Sequence, residues 1–228
     1  MPNHTLITAH SGAEDTPDNS LTFVRCALAL PIDALEVDVR RRADGTLALG
    51  HDAADDHAPT LAQAFELVRA HPTMCINCDL KQPGLEQAVY RLALSCGLTG
   101  RVIYSGTVDV RAASRVSGLQ DAVEIYLNLE EVVPDLYARY RENPDFELHA
   151  AETVSAVCRT YGIRTVNMYH RLVTPRFCDR LAQQGLGVSA WTIDCPQTMA
   201  QILSYGVHNL TSRRPIEALA QRSAVQPG

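Results

Sequence analysis

The chain has 228 residues, of which 46% are hydrophobic and 20% charged, and it carries a formal net charge of -6 at pH 7. This charge argues against a nucleic-acid partner, since the longest run of basic residues is Arg40–Arg42. No apolar stretch approaches the length of a membrane span, and the first residues lack the features of a signal peptide. We therefore expect a globular, cytoplasmic protein.

Short apolar runs alternate with longer amphipathic runs along the whole chain. The predicted strands are Leu6–Ala9, Ala34–Val39, Met74–Asp79, Val102–Ser105, Val123–Leu127, Thr165–Met168, Gly187–Trp191 and Asn209–Thr211. The predicted helices are Leu21–Leu30, Leu61–Ala70, Leu85–Cys96, Val108–Val116, Ala150–Thr160, Thr174–Gln184, Pro196–Ser204 and Pro215–Arg222. Asn19-Ser20 and Thr174-Pro175 are typical helix start signals.

Strands that each precede a helix predict an α/β fold, the TIM or (β/α)8 barrel, as a single domain over residues 1–228. A doubly wound open sheet fits less well because no glycine-rich phosphate loop follows the first strand. Residues 223–228 are predicted to form a flexible tail.

Two segments interrupt the alternation. Asp44-Gly45 predicts a hairpin turn from the second strand into an extra strand, Thr46–Leu49, which ends just before His51-Asp52. The charged, tyrosine-containing stretch 130–148 is broken by two prolines. We expect helical turns and loop there, on the outside of the barrel, and predict no chemistry from it.

Strand parity places the acidic residues. Glu36 and Asp38 are two residues apart and share one face of their strand, and Asp79 and Lys81 share a face of the next. Unpaired acids under the outer helices would be costly, so we expect them to point inward, at the carboxyl-terminal mouth of the barrel. Carboxylates that converge there repel one another, and a divalent cation removes that repulsion. All-oxygen ligation favours Mg²⁺ or Ca²⁺ over Zn²⁺.

Two histidines and a lysine complete the predicted site. His10 ends the first strand and His51 follows the hairpin strand, so both can reach the same mouth and transfer protons near neutral pH. Lys81 is the only lysine among 20 basic residues, and it stands two residues after Asp79. Together with a cation, its ammonium would offset the charge of a reacting phosphate diester.

These motifs resemble those of the glycerophosphodiester phosphodiesterase family. The matching segments are Ala9-His10-Ser11-Gly12, Pro17-Asp18-Asn19-Ser20, Leu35-Glu36-Val37-Asp38-Val39, Asp44-Gly45, His51-Asp52, Asp79-Leu80-Lys81, Trp191-Thr192-Ile193-Asp194 and Gly206-Val207-His208-Asn209-Leu210-Thr211. The resemblance implies a TIM barrel that hydrolyses a small glycerol phosphodiester to an alcohol and glycerol 3-phosphate with Mg²⁺ or Ca²⁺.

The resemblance also implies a role for each residue. Glu36, Asp38 and Asp79 would be the metal ligands, and His10 and His51 the catalytic acid/base pair. Lys81 would contact the phosphate of the substrate. Trp191 would form an apolar wall for the substrate.

The chain departs from the family pattern in three places. The arginine that follows the first histidine in the family, a phosphate contact, is Ser11 here, so Ser11 is a candidate substrate contact at that position. Arg40 has the parity to substitute for it, or it lies on the outer rim. The third metal ligand is Asp79 rather than a glutamate. The family's capping insert after His-Asp is missing, so we expect a more open mouth and relaxed selection for the glycerol group.

Two alternatives remain open from the sequence. The first is a sphingomyelinase D-like phospholipase D that acts on a lipid phosphodiester, because that group shares the Asp-x-Lys and Trp-Thr-x-Asp patterns. The second is a non-catalytic barrel that binds a phosphorylated ligand. Whether water or a neighbouring substrate hydroxyl attacks the phosphorus is also left open.

Overall fold

The structure, a computed structural model, describes residues 4–143 and 146–226. The strands are β1 (Leu6–Ala9), β2 (Ala34–Arg41), β3 (Leu47–Leu49), β4 (Cys75–Leu80), β5 (Val102–Gly106), β6 (Val123–Asn128), β7 (Thr165–Tyr169), β8 (Gly187–Trp191) and β9 (Asn209–Ser212). They pair in the order β1-β9-β8-β7-β6-β5-β4-β2-β3, and β1 also pairs with β2. This last pairing closes a ring of parallel strands, so the predicted TIM barrel is confirmed.

The hairpin predicted at Asp44-Gly45 is also present. β3 runs antiparallel to β2, with Val39 opposite Leu49. Asp44 Oδ1 accepts a hydrogen bond from Thr46 N at 2.9 Å, and Gly45 takes a φ of 90°, which favours glycine. The hairpin lies outside the ring and brings the chain back to the mouth at His51.

Helices cover the outside of the barrel. They are α1 (Leu21–Leu28), α2 (Leu61–Arg69), α3 (Glu86–Ser95), α4 (Val110–Ser114), α5 (Leu119–Ala122), α6 (Leu129–Val132), α7 (Leu136–Glu142), α8 (Phe146–Tyr161), α9 (Pro175–Ala182), α10 (Pro196–Ser204) and α11 (Pro215–Val225). Ser20 caps α1 by accepting from Phe23 N at 3.0 Å, and Thr174 caps α9 in the same way. Both predicted start signals are therefore helix caps.

Several helix boundaries differ from the prediction; for example, α8 begins at Phe146 rather than Ala150. The helix after β5 begins at Val110 because the Asp109 side chain caps it, and a second short helix, α5, follows. At the other end of the chain, α11 continues through Val225, and Gln226 Nε2 donates to Thr5 Oγ1 at 3.0 Å. Residues 223–226 of the expected tail are thus held by helical and side-chain hydrogen bonds, and residues 227–228 lie outside the described residues.

Alternation along the strands separates two environments. Leu35, Val37 and Val39 of β2 point outward and are fully buried under the helices. The inward face begins with a small apolar layer that includes Ala34, Ile103 and Tyr126 at the amino-terminal end of the barrel. Above it the interior is polar, which places the polar groups towards the carboxyl-terminal mouth. Across residues 4–143 and 146–226, no helix has both the length and the apolar character needed to cross a membrane.

Candidate active site

A cavity of about 760 Å³ opens at the carboxyl ends of the barrel strands, which is within the usual size range of ligand pockets. It is lined by His10, Asp18, Asn19, Glu36, Asp38, His51, Asp52, Asn77, Asp79, Leu80, Lys81, Ser105, Gly106, Thr107, Asn128, Glu130, Glu131, Asn167, Trp191, Thr192, Thr211 and Arg213. The structure therefore brings together most of the residues that the sequence predicts for the site. The two exceptions are Ser11 and Arg40, which do not line the cavity.

The three predicted metal ligands form one cluster. Glu36 and Asp38 are each 3% exposed, and Asp79 lies beside them on β4. One carboxylate oxygen from each residue lies within 4.8 Å of the other two. Oxygen ligands on opposite sides of one Ca²⁺ are about 5 Å apart, and those of Mg²⁺ about 4 Å. The cluster therefore has the ligand type and the spacing that a hard divalent cation requires.

Asp79 also has an oxygen that needs a partner. Its Oδ1 atom is buried and has no hydrogen-bond partner among the described residues. Gly106 approaches it closely, since a Cβ at this glycine would overlap Asp79 Oδ1. A buried carboxylate oxygen without a donor is costly, and a cation in the cluster would satisfy it. The residues present therefore fit a divalent metal ion.

Burial and mutual repulsion raise the pKa values of these acids. Burial raises the pKa of Glu36 from 4.5 to about 7; His10 lowers it in part, and Asp38 and Asp79 raise it further. Burial likewise raises the pKa of Asp79, although Lys81 lowers it in part. Bringing a divalent cation to this cluster would favour the charged carboxylates and reverse these shifts.

Lys81 bridges two of the acids. Its Nζ atom lies 2.9 Å from Asp38 Oδ1 and 2.8 Å from Asp79 Oδ2. Burial lowers the pKa of Lys81, but the two carboxylates raise it more, so the ammonium remains charged. The single lysine of the chain therefore lies within the acidic cluster, as its position in the sequence suggests.

Ser11 and Asn19 hold the acids from behind. Ser11 is buried, and its amide donates to Glu36 Oε2 at 3.0 Å while its hydroxyl accepts from Asn19 N at 2.6 Å. Asn19 in turn contacts Asp38 through its side chain. Ser11, predicted as a substrate contact, does not line the cavity and bonds to Glu36 and Asn19 instead. The role of Asn19 was not predicted.

His10 is placed for proton transfer at its Nε2 atom. Nδ1 donates to the Ser11 carbonyl at 2.9 Å, which leaves Nε2 facing Glu36 Oε2 at 3.8 Å. Burial lowers the pKa of His10, but the Glu36 carboxylate and the Ser11 carbonyl raise it more, so the net shift is upward. This arrangement fixes which ring nitrogen can exchange a proton with a ligand in the cavity.

His51 stands at the more exposed side of the mouth. Its side chain is 67% exposed, and Nδ1 lies 2.7 Å from Asp52 Oδ1. Arg40 Nε donates to the backbone carbonyl of His51 at 2.6 Å. Arg40, predicted either as a phosphate contact or as an outer-rim residue, does not line the cavity, and its guanidinium bonds to the His51 carbonyl instead.

Trp191 lines the opposite wall, at the end of β8. Its ring centroid lies 5.6 Å from that of Tyr169 on β7. Trp191 lines the cavity, and its role as an apolar wall for the substrate stays a prediction.

Five charged residues of the cavity were not predicted as site residues: Asp18, Asp52, Glu130, Glu131 and Arg213. Glu130 contradicts the expectation that stretch 130–148 carries no chemistry, since it lines the cavity and burial raises its pKa. Parity could have identified two of them. Glu130 is two residues after Asn128 of β6, and Arg213 is two residues after Thr211 of β9, and both of those strand residues point into the cavity.

The chain resembles known proteins in sequence and in structure. The chain is 21% identical to a glycerophosphodiester phosphodiesterase of Caldanaerobacter subterraneus, over 92% of this chain and 95% of that protein. A glycerophosphodiester phosphodiesterase from Parabacteroides distasonis superposes with a TM-score of 0.77 at 16% identity, covering 98% of this chain and 99% of that one.

A phosphodiesterase of Oleispira antarctica, solved in complex with the product sn-glycerol-3-phosphate, superposes with a TM-score of 0.70 at 16% identity, covering 96% of each chain. None of these matches favours the sphingomyelinase D-like alternative. The sequence pattern of the glycerophosphoryl diester phosphodiesterase family matches residues 54–217. The chain therefore belongs to that family and is a hydrolase of phosphoric diesters.

Proposed function

We propose that this protein hydrolyses a glycerophosphodiester to an alcohol and sn-glycerol 3-phosphate, with a divalent cation at Glu36, Asp38 and Asp79 and with His10 and His51 as the acid/base pair. The observation that carries the proposal is the convergence of three carboxylates and His10 Nε2 on one cavity. The family match begins at residue 54 and therefore does not include His10, Glu36, Asp38 or His51. The roles proposed for these residues are supported by the geometry of the cavity.

The cation would be held by one oxygen from each acid, including the otherwise unpartnered Asp79 Oδ1. When bound, Mg²⁺ or Ca²⁺ supplies positive charge that stabilises the phosphate as negative charge develops on its oxygens. Glu36 and Asp38 hold their positions because Ser11 and Asn19 bond to them from the protein side.

Proton transfer is the task of the histidines. His10 exchanges a proton at Nε2, because its Nδ1 proton is committed to the Ser11 carbonyl. His51 is on the other, more open side of the mouth, and Asp52 holds its Nδ1. One histidine takes a proton from the attacking group, which is either water or a neighbouring hydroxyl of the substrate. The other gives a proton to the leaving alcohol as its phosphorus–oxygen bond breaks. Groups in these roles typically accelerate a reaction by about 10²–10⁴-fold.

Residues in the walls of the same cavity would also contact the substrate. Lys81 adds a positive charge beside the phosphate position, and Trp191 provides an apolar surface for carbon atoms of the substrate. A small phosphodiester fits the cavity volume of about 760 Å³.

The test is release of sn-glycerol 3-phosphate from glycerophosphocholine and glycerophosphoethanolamine by metal-stripped protein, with Mg²⁺ or Ca²⁺ added back. We expect turnover only with a cation, and a loss of about 10²-fold or more in His10→Ala. Asp79→Asn removes a metal ligand and should lose activity as well. His71→Ala is the matched control, because His71 is exposed and does not line the cavity. Equal turnover by His10→Ala and His71→Ala would remove the role given to His10. Release of choline from lysophosphatidylcholine or sphingomyelin, without turnover of glycerophosphocholine, would favour phospholipase D chemistry instead.

A further inference from the structure

Arg213 lies at the rim of the cavity, directly after β9. Its side chain is 42% exposed, and Nη1 donates to Asp18 Oδ1 at 2.8 Å. The backbone is held on both sides, since its amide donates to Asp194 Oδ1 at 2.8 Å and its carbonyl accepts from Glu14 N at 2.9 Å. An anchored backbone therefore carries a partly exposed guanidinium at the entrance of the active site.

The charges around the cavity are unbalanced. Seven lining residues are Asp or Glu, whereas Lys81 and Arg213 are the two Lys or Arg residues in that lining. The ammonium of Lys81 already bonds to Asp38 and Asp79. A phosphate diester carries a negative charge and is repelled by an acidic wall unless a cation offsets it. Arg213 is the basic side chain of the lining that is not bonded to the acidic cluster.

The partner of Arg213 can be replaced. Asp18 is 57% exposed, and ion pairs between such exposed groups are weak. A guanidinium presents five N–H donors in a fixed fork that matches two oxygens of a phosphate. The pair packs directly against Gly12, where an added Cβ would lie 2.9 Å from Arg213 Nη1. Gly12 is two residues from His10, so the guanidinium is already close to the catalytic wall.

We propose that Arg213 binds the phosphate group of the substrate, its guanidinium donating to a non-bridging oxygen, and that Asp18 holds the guanidinium at the rim until the phosphate takes its place. This inference rests on the proposed function and adds to it a substrate-binding residue on β9.

The test compares Arg213→Gln with Arg214→Gln. Arg214 is the next residue, is exposed and does not line the cavity, so the two variants lose the same charge. We expect Arg213→Gln to raise KM for glycerophosphocholine and the dissociation constant for sn-glycerol 3-phosphate by roughly 10- to 100-fold, with a smaller change in kcat. Arg214→Gln should match the wild type, and Arg213→Lys should recover part of the affinity.

Asp18→Asn supplies the second measurement. In the wild-type background, this substitution should lower the dissociation constant for sn-glycerol 3-phosphate. The decrease in the dissociation constant should be smaller when Arg213 is already Gln, because the two side chains act as a pair. Equal affinities in Arg213→Gln and Arg214→Gln would overturn the inference. If the wild type binds sn-glycerol 3-phosphate through Arg213 but hydrolyses no diester, the proposed function falls and the assignment of Arg213 stands. If the wild type does not bind it with Mg²⁺ or Ca²⁺ present, both fall.

Discussion

Asn19 and Asp38 exchange two hydrogen bonds at the floor of the active site. Asn19 Nδ2 donates to Asp38 Oδ2 at 2.7 Å, and Asp38 N donates to Asn19 Oδ1 at 2.9 Å. Asn19 reaches this position with a φ of 52°, in the left-handed region that asparagine tolerates better than most residues. One side chain on the loop after β1 therefore fixes both the backbone and the carboxylate of a proposed metal ligand on β2.

Asn19→Gly should weaken the site without adding backbone strain, since glycine adopts the same φ freely. The change leaves Asp38 N and Asp38 Oδ2 without their partners and should lower the free energy of unfolding by about 1–3 kcal/mol. We expect metal affinity and activity to fall by roughly 10- to 100-fold, as is typical when a residue that supports a metal ligand is removed. Isothermal titration with Ca²⁺ and the glycerophosphodiester assay measure the two effects.

Ser20→Ala is the matched control for Asn19→Gly. Ser20 is the next residue and caps α1, and its removal should cost about 1 kcal/mol of stability. It makes no contact with the carboxylates, so metal affinity should stay at the wild-type value. A common loss of metal affinity in both variants would show that the effect arises from general destabilisation.

Gly106→Ala should remove the metal site by steric overlap. An added methyl group would collide with Asp79 Oδ1 and lie 2.6 Å from the Leu80 carbonyl. We expect Asp79 to be displaced and metal affinity to fall by roughly 10-fold or more. Gly185→Ala separates this effect from backbone strain, because Gly185 has a similar φ of 74° and nothing within 4 Å of an added Cβ. The positive φ should cost both variants about 1–2 kcal/mol of stability. Unchanged Ca²⁺ binding by Gly106→Ala would contradict the proposed position of the metal site beside Gly106.

The barrel could be predicted from the sequence because local residue patterns mark its strands and helices. Apolar runs mark each strand, Ser20 and Thr174 mark helix starts, and the two-residue spacing of Glu36 and Asp38 places both carboxylates in the interior. The clustering of those acids with Asp79 follows from closure of a parallel ring, which brings all carboxyl ends to one mouth.

The positions of Ser11, Asn19 and Arg40 depended instead on loop conformation. Ser11 turns away from the cavity because it bonds to Asn19 across the β1 loop, and parity does not extend past the end of a strand in such a loop. Arg40 has inward parity, but the hairpin carbonyl of His51 engages it at the rim. These contacts join segments that are distant in sequence, and no local pattern records them.

Metal binding should stabilise the protein more at pH 8 than at pH 5.5. Without metal, the pKa of Glu36 is raised from 4.5 to about 7, so the folded protein holds a proton there below that pH. This contribution to stability is fully present below pH 4.5 and is lost as the pH rises through about 7. A cation needs the ionised carboxylate, so it competes with that proton at low pH.

The measurement is the rise in Tm on adding Ca²⁺ or Mg²⁺ at each pH. At 100-fold excess over Kd, ligand binding contributes about 2.7 kcal/mol, which is roughly 5–10 °C for a chain of this size. The rise should be smaller at pH 5.5 and absent in Asp79→Asn. An equal rise at both pH values would show that Glu36 does not bind the cation.

Lys81→Met should separate the two effects of the ammonium. The lysine repels a cation bound at Asp38 and Asp79, yet it attracts the phosphate of the substrate. Its loss should therefore tighten Ca²⁺ binding while lowering kcat/KM for glycerophosphocholine. Weaker Ca²⁺ binding in Lys81→Met would mean that the bridge is needed to position the acids.

Lys81→Arg tests whether position or charge matters at this site. The ammonium is compact enough to lie 2.8 Å from Asp79 and 2.9 Å from Asp38 at once, whereas a guanidinium is planar and broader. Arginine keeps the charge but should extend into the space of the phosphate, so we expect kcat/KM to fall by about 10-fold while Ca²⁺ affinity stays near the wild-type value. Wild-type kcat/KM in Lys81→Arg would show that charge alone is required, and the use of lysine here among 19 arginines would then have no catalytic reason.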